Sequence, residues 1–270
     1  MIPPTLEPDQ QFSRWDDHVS VYEQVFEPFS MAFADIAIER LKVGAGARVL
    51  DVGAGCGGAA LALARRGCVV AAIDASARMI ERIESRKAEL QVSAVVMDGQ
   101  ALNYADDTFD AALSVFGVIL FPDAVRGLAE MRRVVRPGGR VAIVTWTEPQ
   151  HYELSAQLRA AIEVVRPGGK PGALPAQLRF RERDACAALF SGAGFAEVEI
   201  ETCRAELIAP SAQWLAERMA FAPGMATQLA ALGGEREAAL AQFVTDVEAK
   251  QGRGEVRFEG RAFVACGNVT

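Results

Sequence analysis

Between residues 46 and 147, short apolar runs alternate with stretches whose apolar positions recur every three or four residues. In order these are ARVLDV and Gly58–Arg66, CVVAAID and Ala77–Lys87, VSAVVMD, FDAALSVFG and Ala124–Val135, and GRVAIVTW. Runs of the first kind predict strands and stretches of the second kind predict helices. The strands are too apolar to leave a face in water, so the alternation predicts an α/β fold, a parallel sheet covered on both sides. Ahead of it, Trp15, Val19, Tyr22, Phe26, Phe29, Phe33 and Ile36 recur at steps of four and three. They predict two helices, broken near Pro28.

Beyond Trp146 the pattern changes. A helix is expected over Tyr152–Val165, then the Pro/Gly-rich loop GGKPGALP, then a helix near Glu182–Ala193 that ends at Gly194. AEVEIETCRAEL alternates with period two and predicts a strand with one more exposed face, with VRFEGRAFVACGNV as its partner. Between them, Ser211–Lys250 is a helical insert placed to cap the site. VVRPGG occurs twice, from Val134 and from Val164, with unmatched surroundings. It marks a shared helix-end turn rather than a repeat. The expected organisation is one domain over 1–270: N-terminal helices at 12–45, a core at 46–147, cap segments at 148–175 and 211–250, and a strand pair at 196–208 and 256–268.

Composition narrows the classes. The chain has 270 residues, 51% of them hydrophobic, with a net charge of −7. The length allows a substantial core, and the charge would repel a phosphate backbone, so nucleic acid is not an expected partner. The longest nearly unbroken apolar run, Ala111–Pro122, is interrupted by Ser114 and falls short of the ~20 residues a membrane span needs. The opening MIPPTLEPDQ has neither a basic segment nor an apolar core, so no secretory signal is expected and the expected location is the cytoplasm. Cys56, Cys68, Cys186, Cys203 and Cys266 are scattered and include no C-x-x-C. They are read as reduced thiols packed as small hydrophobes, with no metal site expected.

Candidate chemistry gathers at the ends of the first four strands. VLDVGAGCGG holds Gly53, Gly55 and Gly58 in G-x-G-x-x-G spacing, with Gly53, Gly55 and either Gly57 or Gly58 letting the backbone lie against a ligand. Asp51, two residues earlier, argues against a dinucleotide. At about 6 Å and an effective dielectric of about 20, its carboxylate would cost on the order of 3 kcal/mol per diphosphate charge, a sign that reverses beside an ammonium or sulfonium. Asp74 ends the second strand, where a carboxylate can accept both ribose hydroxyls; its alternative role is a helix N-cap, a task Ser76 could also perform. Asp98, with the Gly99 N–H beside it, could read the amino edge of an adenine, or simply form an Asp-Gly turn. Together these features describe a nucleoside that is cationic at its 5′ side.

These residues resemble class I S-adenosylmethionine-dependent methyltransferases. The likeness runs from Trp15 to Trp146 through VLDVGAGCG, IDAS, MDGQAL, FDAALSVFGVILFPD and RRVVRPGGRVAIVTW, and it is nearest to the branch of ubiquinone and menaquinone biosynthesis methyltransferases. The resemblance implies a Rossmann-like, mostly parallel seven-stranded sheet of order 3-2-1-4-5-7-6 with its last strand antiparallel, and S-adenosyl-L-methionine as cofactor. It implies that Asp51, Gly53, Ala54 and Gly55 face the methionine portion, Asp74 and Ala75 the ribose, and Asp98, Gly99 and Gln100 the adenine, with Met79 packing on its face. Ser114 would run beneath the methionine portion and Phe116 would reach towards the acceptor. Cys56 stands where the family often has threonine. Trp15 and Tyr22 are candidates to close over the sulfonium, or else a core stripe.

The acceptor read from these segments is a small apolar or aromatic molecule, with walls from the leading helices, the Tyr152–Pro175 segment, and Trp214, Met219, Phe221, Met225 and Phe243. The two histidines, His18 and His151, are the candidate bases. Two other readings are an S-adenosylmethionine-binding protein without transferase activity, and an NAD-dependent oxidoreductase. The latter lacks a Tyr-x-x-x-Lys pair.

Overall fold

The computed structural model describes residues 6–168 and 175–270. The opening MIPPT and most of GGKPGALP, part of the expected first cap segment, lie outside the described residues. The core runs β1 (Arg48–Val52), α2 (Gly58–Arg65), β2 (Val69–Asp74), α3 (Ala77–Arg86), β3 (Val92–Val96), β4 (Phe109–Val115), α4 (Ala124–Val134) and β5 (Val135–Trp146), preceded by α1 (Val19–Leu41). Then follow α5 (Glu153–Val165), α6 (Arg183–Gly192), β6 (Val198–Ala209), α7 (Ala212–Glu217), α8 (Pro223–Ala230), α9 (Arg236–Gln251) and β7 (Val256–Asn268). The seven strands form one sheet in the order β3-β2-β1-β4-β5-β7-β6. β1 to β5 pair in parallel, and β7 lies antiparallel to both β5 and β6, as the alternation at the C-terminal end predicts. All five C-terminal ends of β1 to β5 therefore share one edge, where an open sheet of this kind binds ligands.

The sheet separates two apolar layers. On one face Val49, Ala72 and Leu113 meet α1, α2 and the α7–α9 insert; on the other Leu50, Ile73 and Ile143 meet α4 and α6. Pro137-Gly138-Gly139 falls inside β5, where the register against β4 jumps between Phe109 and Ala111. Gly138 takes a φ of +82°, so this turn is a bulge at the start of the strand.

Three expectations are corrected. α1 runs without interruption through Pro28; the break lies at His18, after a 3-10 segment Phe12–Asp17. Pro28 lies on the exposed side, while Phe29, Phe33, Ala34 and Ala37 bury the opposite face, and that packing outweighs one lost backbone hydrogen bond. β3 does have a wet side. No helix follows it, it is an edge strand, and Val95 and Val96 are exposed. The insert is also more than a cap. Met219 and Phe243 are fully buried in the core layer, and Phe243 stacks on Phe258 of β7 at 6.0 Å.

Paired charges lock α1 to α3 across the glycine loop. Glu23 receives two hydrogen bonds of 2.8 Å from Arg82. Glu27, buried, accepts from the Gly58 N–H at 3.0 Å, at the start of α2, and from Arg86 Nη1 at 2.9 Å. Arg86 also donates to the Cys56 carbonyl at 2.7 Å. Replacing Glu27 with alanine strands the Gly58 N–H and half of this pairing. The expected loss is about 2 kcal/mol of unfolding free energy, read as a lower denaturant midpoint with an unchanged slope.

Candidate functional site

The loop after β1 is built from glycines in left-handed backbone: Gly53, Gly55 and Gly57 have φ of +69°, +54° and +87°. Their lack of a side chain is required by space as well. A Cβ on Gly53 would lie 3.0 Å from the Cα of Gly117, and one on Gly55 would lie 3.2 Å from the Tyr22 hydroxyl. The N–H groups of Gly53 and Ala54 both donate to the Ile73 carbonyl at 2.9 Å, tying the loop to β2. Ser114 is part of this scaffold. Its hydroxyl donates to the Val52 carbonyl at 2.7 Å and accepts the Val118 N–H at 3.0 Å, so it fastens the end of β1 to the loop after β4.

Three carboxylates lie at this edge, Asp51, Asp74 and Asp98. Asp51 is 1% exposed and its Oδ2 meets no hydrogen-bond partner among the described residues. Burial pushes its carboxyl up to about 7, with Asp74 and Glu27 adding to the rise and the Ala60 N–H opposing it. Asp74 is half-buried and held by the N–H groups of Gly55 and Ser76, each at 2.9 Å. Burial also raises its pKa, against those backbone donors. Ser76 N-caps α3 by accepting the Met79 N–H at 3.2 Å, which leaves Asp74 free of that duty. Asp98 is exposed; its Oδ1 accepts the Gln100 N–H at 2.9 Å and the Gln100 side-chain amide at 3.1 Å. Gly99 beside it is buried under Phe121, whose Cζ would lie 2.5 Å from an added Cβ.

The leading segment closes over this edge. Asp16 accepts from the Ser76 hydroxyl at 2.5 Å, and Trp15 meets Tyr22 edge to face at 5.9 Å. Trp15 Nε1 donates to the Asp9 carbonyl at 3.0 Å, while the Asp9 carboxylate takes the Gly224 N–H at 2.8 Å, joining the leading segment to α8. Next to the loop, Phe116 adopts a φ of +57°, unusual for a residue with a side chain and worth about 1–3 kcal/mol of strain. Its ring stacks on Trp146 at 4.3 Å, and Phe26, Phe29, Tyr152 and Phe221 complete an aromatic cluster with centroid separations of 4.8–6.2 Å.

The expected residues thus divide. Asp51, Gly53, Ala54, Gly55, Asp74 and Ala75 meet at one edge, with Tyr22 against Gly55 and Trp15 edge-on to Tyr22, and Phe116 lies in the aromatic cluster. Met79 is buried with its sulfur 3.5 Å from that of Cys56. Gln100 is engaged at both ends of its amide, its Oε1 taking the Asp123 N–H at 2.8 Å. His18 donates from Nδ1 to the Ala220 carbonyl at 2.8 Å, which leaves Nε2 as the proton-accepting nitrogen of the neutral ring. His151 has only a 3.5 Å approach from Nδ1 to Thr147 Oγ1, whose own proton goes to the Arg261 carbonyl at 3.0 Å. Glu148 pairs with Arg181 at 3.3 Å rather than with His151. Asp16 and Glu27 were not singled out among the expected site residues, and Tyr152 was expected only as the start of an acceptor-wall segment. The one signal in the sequence was the matched four-residue spacing of Glu23 and Glu27 with Arg82 and Arg86. A polar hollow of about 570 Å³ lies at the opposite ends of the strands, lined by Lys42, Asp110 and Arg140, away from all of these groups.

The strand order, the antiparallel β7 and the glycine loop after β1 match the Rossmann-like fold of solved methyltransferase structures. Residues 49–139 match the model of the methyltransferase domain family. An uncharacterized protein of Mycobacterium tuberculosis is 32% identical over 168 residues, 62% of this chain and 59% of that protein. The methyltransferase GfsG of Streptomyces halstedii is 44% identical over 110 residues, 39% of this chain and 40% of its own length. The match spans less than two thirds of the length of either relative. Among solved structures, the phosphoethanolamine N-methyltransferase 2 of Haemonchus contortus in complex with S-adenosyl-L-methionine superposes with a TM-score of 0.59 at 17% identity, covering 99% of this chain and 61% of that one. No helix of the described residues is long and apolar enough to cross a membrane.

Proposed function

We propose that this protein transfers a methyl group from S-adenosylmethionine to a small, largely apolar acceptor. The carrying observation is Asp51, a carboxylate sealed beneath the glycine loop with one oxygen unpartnered. Such a group is costly beside an anion and is relieved by a cation. The site fits this donor in two further respects. The positive-φ glycines give a cradle that side chains would fill, and Asp74 is held by backbone donors with acceptor capacity left for two hydroxyls. The name of GfsG and the donor bound in the Haemonchus contortus structure support the same reading.

When bound, S-adenosylmethionine supplies a methyl carbon on a sulfonium; an acceptor lone pair forms the new bond in line as the carbon–sulfur bond breaks and sulfur keeps the pair. The chain's work is positional, and holding reactants in line is a large part of such a barrier. Asp51 receives the cationic end, Asp74 the ribose, and Asp98 with Gly99 the adenine. Phe116, Trp146 and Phe26 exclude water on the acceptor side, and their apolar faces favour an apolar or aromatic acceptor. Where the acceptor must lose a proton, His18 receives it at Nε2, oriented by the Ala220 carbonyl. His151 lacks such an anchor.

Calorimetric titration with S-adenosylmethionine, S-adenosylhomocysteine and NAD, followed by a labelled-methyl screen of phenols, quinols and amines, tests the reading. Heat with NAD alone refutes it, and donor binding without transfer to any acceptor would fit a binding protein instead. His18→Gln is expected to lower turnover at least tenfold with donor affinity intact. Undiminished turnover would remove His18 from the mechanism.

A further inference from the structure

Among the described residues, one polar atom of the aromatic cluster is both shielded from solvent and without a partner. The Tyr152 hydroxyl is closed off from solvent and has no hydrogen-bond partner among the described residues. Its ring is fixed from three directions. It stacks on Trp146 at 4.8 Å and 24° and on Phe29 at 5.8 Å and 14°, and its backbone pairs with Gly260 of β7 in an isolated antiparallel bridge. Gly260 keeps that arrangement possible, since a Cβ there would lie 2.5 Å from Phe29 Cζ and 3.3 Å from Tyr152 Cδ2. Phenylalanine would make the same stacks without stranding a hydroxyl, and a buried hydroxyl without a partner opposes folding. Trp146 links this ring to Phe116 in the strained loop after β4, so the hydroxyl belongs to the acceptor side of the site.

We propose that the Tyr152 hydroxyl is the polar anchor of the acceptor subsite. It donates a hydrogen bond to a carbonyl, phenol or enol oxygen of a planar, otherwise apolar molecule, so that the substrate supplies the partner the protein lacks. This rests on the methyl-transfer reading above. Burial raises the phenol's pKa, which keeps the group a neutral donor over the working range. Because the hydroxyl is shielded, the acceptor reaches it by displacing a ring of the cluster rather than by filling an open cleft. A shielded, unpaired hydroxyl among aromatic rings also discriminates. A planar hydrocarbon without an oxygen leaves the donor unpaired, and a charged amine brings a second donor to a place that needs an acceptor.

The experiment is Tyr152→Phe in the full chain, with three measurements: thermal unfolding without ligand, titration with S-adenosylhomocysteine, and the response to a panel of phenols and quinols by thermal shift and labelled-methyl transfer. The expected result is a Tm unchanged or raised, homocysteine-nucleoside affinity within twofold of the parent, and loss of the panel-induced shift or at least a tenfold rise in acceptor KM with a smaller change in kcat. A Tm lowered by several degrees would show that the hydroxyl has a structural partner and would overturn the proposal. So would a parent protein that binds S-adenosylhomocysteine but gives neither shift nor transfer with the panel, or a variant that matches the parent in acceptor KM. Gly260→Ala, which pushes on the same ring without touching the hydroxyl, should raise acceptor KM in the same direction; unaltered KM there would also count against it. Failure of the parent to bind S-adenosylhomocysteine would instead sink the methyl-transfer reading. The Tm of Tyr152→Phe would still report whether the hydroxyl is unpaired.

Discussion

Replacing Asp51 with asparagine should weaken S-adenosylmethionine binding about a hundredfold at pH 8 and hardly at all at pH 5. A carboxylate about 6 Å from a cationic group, at an effective dielectric of about 20, contributes about 3 kcal/mol, and asparagine removes the charge while keeping the shape. With burial pushing its carboxyl up to about 7, Asp51 is protonated at pH 5 and already neutral, so the substitution then changes little. The affinity of the parent should accordingly rise with pH through this range while that of the variant stays level. The folded protein without donor should show the opposite trend. A carboxyl whose folded value lies above the ordinary 3.8 takes up its proton more readily in the native state. Its contribution to stability is therefore greatest at low pH and is lost as pH rises through about 7. Titrations of both proteins at four values between pH 5 and 8 check the prediction, and parallel curves would remove Asp51 from the donor site.

Asp74→Ala should cost about 3 kcal/mol of donor affinity, again about a hundredfold, because two hydrogen bonds to a charged acceptor are lost together. The effect has a second part. The N–H groups of Gly55 and Ser76, each 2.9 Å from this carboxylate, lose their partner, and the loop becomes less well held. Asp74→Asn offers an amide oxygen to these donors and should recover part of the loss. Equal titrations for the parent and Asp74→Ala would refute the ribose assignment.

The parallel part of the sheet was legible because each strand carries its own pattern. Apolar runs of five to seven residues between helical stretches reflect burial on both faces, which is a local property. What the pattern missed is what depends on distant neighbours. Val95 and Val96 look like core until β3 proves to be an edge strand with no helix behind it. Pro28 looks like a break until the packing of Phe29 and Phe33 carries the helix past it. The site divides in the same manner. Asp51, Asp74 and the glycines stand at fixed offsets from strand ends, so their spacing revealed them. Asp16 acts on Ser76 from 60 residues away with no mark of its own, and Glu27 acts on Gly58 from 31 with only its spacing from Glu23, matched by Arg82 and Arg86, to hint at it. Tyr152 is the extreme case, since its interest lies in a missing partner, which no sequence pattern displays.

The placement of β7 between β5 and β6 also orders assembly. β6 is made first, yet among the described residues its only neighbour in the sheet is β7, so its twelve residues must wait, unpaired, while the whole of α7, α8 and α9 is synthesised. During that interval the nascent chain exposes a long strand with free backbone groups on both margins, the kind of segment on which a chaperone acts or a stray chain pairs. The glutamates and arginine at 199, 201, 204 and 206 lie along it, and their charges suit them to keep that waiting strand from associating with another before its partner emerges.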